Sequence, residues 1–86
     1  MNRREPTRTR LHGTPVTNPA TGAERIAAIR RIVSDGQYAK VDGTMIDLFS
    51  ASAVVAVHDA LNETNQQRFS ALPAARMALI AFKLAK

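Results

Sequence analysis

The chain has 86 residues, 45% hydrophobic and 22% charged, with a formal net charge of +5 and no cysteine. That length and balance fit one small domain and leave no room for two, and the missing thiols exclude a disulfide scaffold and every thiolate metal site. The longest apolar run, Met77 to Phe82, falls far short of the ~20 residues of a membrane-spanning helix, and the Arg-rich start has no apolar segment behind it, so neither a span nor a secretory signal is expected.

Charge is placed unevenly. Residues 1–31 carry seven Arg against two Glu, whereas residues 32–86 carry five basic and five acidic groups. The excess therefore lies toward the N-terminus, as in an arm that meets an anionic surface or one that is simply well solvated. Residues 1–20 hold Pro6, Pro15 and Pro19 and few large apolar side chains, too little to offset the entropy of ordering, and are expected to form a flexible basic arm. Residues 21–86 then make a single helical domain, at a size where one core is marginal and oligomerisation commonly adds burial.

The first helix has clear ends. Thr21 followed by Glu24 has the spacing of a capping box, and Gly36 after Asp35 offers a left-handed stop. Ile26, Ile29, Ile32 and Val33 fall on one side at helical spacing, with Arg30 and Arg31 turned away to make a basic outer face. Between Gln37 and Asp47 the pattern changes, and Asp42-Gly43 between β-tolerant residues is the strongest short hairpin signal the alphabet offers. Two short strands, or an irregular loop with one tight turn, both satisfy it.

Asp47 or Ser50 can cap a second helix running to about Asn62, with Phe49, Ala53, Val54, Val57, Ala60 and Leu61 on one face and His58 at its border. Thr64 and Gln67 repeat the capping-box spacing for a short third helix, which Pro73 ends. Pro73 also suits the start of a last helix, Ala74 to Ala85, in which only Arg76 and Lys83 are charged. On that helix Met77, Ile80, Ala81 and Leu84 form one seam while Ala75, Leu79 and Phe82 lie around the other side, and a single small core covers one of these surfaces but hardly both. Met77, Leu79, Ile80, Phe82 and Leu84 are thus the candidate protein interface. The expected fold is mainly α, a small bundle of three to four helices with a short β-hairpin allowed between helices 1 and 2. Helices 2 and 4 should form its centre, with Phe49, Val57, Leu61, Phe69 and Ile80 nearly buried.

Convergent chemistry is scarce. His12 and His58 without cysteine do not assemble a zinc site, and Ser50 or Ser52 stands about two helical turns from His58, out of hydrogen-bond reach. Asp42, Asp47 and Asp59 lack the dense alternation of a calcium loop, and turn and cap duties account for the first two. The four glycines are scattered singly, so no phosphate loop is present. Of the aromatic residues Tyr38, Phe49, Phe69 and Phe82, three fit the core pattern, which leaves no stacking platform for nucleic acid.

The run KVDGTMIDLFSASA from Lys40 to Ala53, followed by DALNE at 59–63, Asn65, Phe69 and Leu72-Pro73, resembles a block in small proteins of actinobacteriophages, the phages of mycobacteria and their relatives. The likeness covers roughly residues 30–84 and carries no activity and no functional residue with it. It implies a viral protein made in the cytoplasm of an infected bacterial host. The expected function is that of a phage accessory protein without catalysis, cofactor or metal, which self-associates as a homodimer or docks on a host protein through its apolar C-terminal helix. The alternative is an anion- or nucleic-acid-binding protein using Arg3, Arg4, Arg8 and Arg10 with Arg30 and Arg31. Neither reading calls for a membrane.

Overall fold

The computed structural model describes residues 14–85. They run as β1 (Val16–Thr17), α1 (Gly22–Asp35), β2 (Ala39–Val41), β3 (Thr44–Ile46), α2 (Leu48–Ala60), α3 (Glu63–Ser70) and α4 (Ala74–Ala85). The fold is mainly helical, as the periodicity predicts, and the Asp42-Gly43 signal resolves as a true hairpin. Both turn residues have positive φ, 55° and 75°, the backbone that a two-residue type I′ connection demands and that Asp-Gly tolerates. Across the hairpin Ala39 faces Ile46 and Val41 faces Thr44. The strand alternation turns Ala39, Val41 and Ile46 into the core and leaves Lys40 and Met45 outside.

One strand was not expected. Val16 and Thr17 pair in parallel with Lys40 and Val41, making the order β1-β2-β3. The Lys40 and Asp42 amides donate to the carbonyls of Pro15 and Thr17 at 2.8 and 3.2 Å. The sheet therefore includes residues assigned above to the arm, and the boundary at residue 20 moves back. An edge strand tolerates the neighbouring Pro15 because proline keeps its acceptor while lacking a donor. Residues 1–13, with Arg3, Arg4, Arg8, Arg10 and His12, lie outside the described residues.

Helix ends follow local chemistry. Thr21 Oγ1 accepts from the Glu24 amide at 3.1 Å, while the Glu24 carboxylate reaches back one residue further than a capping box requires, to the Ala20 amide at 2.8 Å. Gly36 closes α1 in the left-handed region with its amide donating to Ile32 O. Asp47 caps α2 through the Ser50 amide at 2.7 Å. The cap of α3 is Asn62, not Thr64: its Oδ1 accepts from the Asn65 amide at 2.9 Å. Leu61 adopts an extended backbone immediately before it, so the helix restarts two residues earlier than the Thr-Gln spacing implies.

The core consists of Ile29 and Ile32 from α1, the inward strand residues, Ala51 and Val54 from α2, Phe69 from α3, and Ala74, Met77 and Ala81 from α4. Phe69 is buried as expected. Phe49 is instead 61% exposed, and Val57, Leu61 and Ile80 are only partly buried, flanking the core. Helix α2 is thus rotated by roughly 100°, one residue's worth, from the orientation its large side chains suggest. The small Ala51 and Val54 fill the inward positions, and a helix with apolar residues on nearly every side has no strong polar face to forbid the turn. On α1, Val33 is also outside, 38% exposed.

Candidate functional site

The rotation of α2 decides what the surface offers. Ala51 and Val54 point inward, so Phe49, Ala56 and Ala60 line the opposite, exposed side with Ala53 at its edge, at spacings of 4, 3 and 4. On α4, Ala74, Met77 and Ala81 are inside while Leu79, Phe82 and Leu84 are 52%, 51% and 65% exposed. The candidate interface is divided accordingly. Met77 is fully buried and belongs to the core, Ile80 packs against that core, and Leu79, Phe82 and Leu84 stand on the surface.

The two exposed faces meet. The Phe49 and Phe82 rings pack edge to face, with centroids 6.1 Å apart and planes at 76°, the arrangement the ring quadrupoles favour. Beyond them Ala53, Ala56, Val57, Ala60, Leu61 and Leu84 line an open trough of about 350 Å³ with no charged group in its walls. Sequence reasoning counted Phe49 as core and so missed half of this surface. The signal present was the 4-3-4 spacing of Phe49, Ala53, Ala56 and Ala60, which is indistinguishable from a core stripe until the neighbours of α2 are placed.

Among the described residues, the charged side chains of Glu24, Arg25, Arg30, Asp42, Asp47 and Asp59 are committed to caps and ion pairs. Arg30 of α1 forks onto both Asp59 carboxylate oxygens, and His58 Nδ1 lies 3.4 Å from Asp59 Oδ1 and from Arg30 Nη2. The Arg30 hydrogen bond, helped by His58, holds the Asp59 carboxyl below its usual range. Of the α1 cations proposed for anion binding, Arg30 is therefore engaged by a carboxylate, and Arg31 is exposed.

Arg25 is tied inward. Its Nε donates to Asp42 Oδ2 at 2.6 Å and its Nη1 to Ser70 O at 2.7 Å, while the first amide of α4, Ala74, donates to the same Asp42 oxygen at 2.9 Å. Burial pushes the Asp42 carboxyl up, but the hydrogen bonds from Arg25 and Ala74 outweigh it and its pKa is lowered. Asp42 thus serves the hairpin turn and the start of α4 together. No group of three or more potential metal ligands occurs among the described residues, and none of their helices is long and apolar enough to cross a membrane.

The chain matches no known family model, no curated protein and no solved structure.

Proposed function

We propose that the chain is a phage accessory protein that works without catalysis in the cytoplasm of the infected bacterium, by protein–protein interaction through the joined apolar faces of α2 and α4. The observation that carries this reading is the half-exposed, mutually packed Phe49 and Phe82 beside an uncharged trough that the half-exposed Leu84 helps to line. The largest apolar patch on a monomer is often its functional surface. The commitment of Asp42, Asp47, Asp59 and Asn62 to ion pairs and caps supports a binding role over a chemical one, because these groups already have partners. The fork of Arg30 onto Asp59 likewise favours a protein partner over an anion.

Capture by the tagged full chain from host lysate to which a differently tagged copy of the chain is added tests the reading, with nuclease included and omitted. Retention of a protein partner, of host origin or a second copy, should survive nuclease and be lost in Phe82→Glu, since an interface cannot bury that unpaired carboxylate cheaply. Retention indifferent to Phe82→Glu and abolished by nuclease would overturn it in favour of the Arg-rich arm.

A further inference from the structure

Resting on that interaction reading, we infer that the occupant of the α2/α4 face is a second copy of the chain, related by a two-fold axis passing near Ala56. A two-fold contact requires one patch to be complementary to itself. This face has both halves of such a fit side by side. Phe49, Phe82 and Leu84 stand out as large side chains, and next to them the alanines of α2 leave a trough of about 350 Å³. A cavity of about 150 Å³ holds one benzene ring, so the trough has room for a phenylalanine ring from the second copy. Because Phe49, Ala53, Ala56 and Ala60 repeat at 4-3-4 spacing, an antiparallel neighbour centred on the same stripe sets alanine against alanine in the middle and the large side chains at the two ends.

Area and charge agree with a second copy. With a large side chain worth roughly 150–200 Å², the half-exposed Phe49, Phe82 and Leu84 leave about 300 Å² of apolar surface per copy, to which the exposed Ala56 and Ala60 add. That suits the dry centre of an interface burying about 800 Å² per partner, with polar neighbours such as Ser52 and Lys83 supplying the rim. Residues 14–85 carry seven basic and six acidic groups, so two such bodies repel each other little.

Sedimentation equilibrium on the full chain, run from low to high micromolar, reads the outcome. Wild type should be a dimer that dissociates on dilution. Ala56→Glu, altering an exposed position, should keep the circular dichroism of the wild type while weakening the dimer on the order of 100-fold or more. The chain has no cysteine, so Ala56→Cys can form only one disulfide, between copies, and mild oxidation should convert it to a covalent dimer that reductant reverses. A wild type monomeric throughout, a dimer undisturbed by Ala56→Glu, or Ala56→Cys that does not cross-link would each overturn the two-fold dimer. If nuclease-resistant capture of a host protein still depended on Phe82 in that event, the interaction reading would stand and only the identity of the partner would fall.

Discussion

Two regions of this small domain are finished in opposite ways. At the corner where the hairpin turn meets α1, the end of α3 and the start of α4, the polar groups interlock: Asp42 takes Arg25 and the Ala74 amide, and Arg25 also holds the Ser70 carbonyl. Packing there is equally close, since a Cβ on Gly22 would lie 2.7 Å from Ser70 Oγ and 2.9 Å from Ser70 O. Across the molecule, the α2/α4 face ends in half-exposed phenylalanine and leucine with an open trough between them. The first arrangement locks elements whose sequence positions are far apart, and the second leaves apolar surface uncovered. Substitutions at the corner should therefore change folding, and those on the face should change association.

The largest effect belongs to Asp42. Asp42→Ala strands a side chain, Arg25, that is only 14% exposed, removes the acceptor for the first amide of α4 and puts a Cβ-only residue at φ 55°. Breaking a largely buried pair from one side costs about 3 kcal/mol, a large share of the stability of so small a domain. Urea denaturation should show it, with Asp42→Asn losing less because asparagine tolerates the left-handed backbone and still accepts from Ala74. The pH dependence has a definite sign. The carboxyl titrates below its ordinary 3.8 in the folded chain, so its contribution is fully present above about pH 4 and fades as pH falls through the lower, folded value. The gap between wild type and Asp42→Asn should close over that acid range, and a gap that persisted there would separate the effect from the carboxylate charge.

Gly22 comes next. Alanine is the better helix former, yet here its methyl would press on the Ser70 backbone and hydroxyl, which the Arg25 bond holds in place. Overpacking of this kind costs typically about 1–3 kcal/mol, more than propensity returns at a first-turn position. Gly22→Ala should lower the thermal midpoint, and a rise would mean that the corner yields.

How much of this was legible in the sequence follows from the range of each interaction. Thr21, Gly36, Asp47 and Asp42-Gly43 announce caps and a turn because their partners lie within four residues, where side chain and backbone must meet. The link from Asp42 to Ala74 spans 32 positions and leaves no local trace. Strand β1 hides for a similar reason: two residues between prolines have no alternation to read, and only β2 makes them a strand. The facing of α2 failed differently. Its pattern has apolar residues nearly all round, so the large side chain of Phe49 reads as core although the small one of Ala51 sits there. The exposed leucines and phenylalanine of α4 were nevertheless in view, because no core of this size covers both sides of that helix.

The smallest folding effect should come from Phe49, and it bears most directly on the comparison. Its ring is 61% exposed, so replacing it returns little surface to water, and the edge-to-face contact with Phe82 is its main partner. Such aromatic pairs are worth about 0.5–1.5 kcal/mol beyond area, and serine is well accepted in the first turn of a helix, so Phe49→Ser should cost about 1–2 kcal/mol. Met77→Ala, by contrast, empties a fully buried position and should cost about 2–5 kcal/mol. The two variants need to be compared at the lowest workable concentration, where a dimer is dissociated and only the folding of one copy is read. If Phe49→Ser proved as damaging as Met77→Ala under those conditions, α2 would be turned the other way. The open face would then be core, and the contrast between the locked corner and the exposed apolar surface would collapse with it.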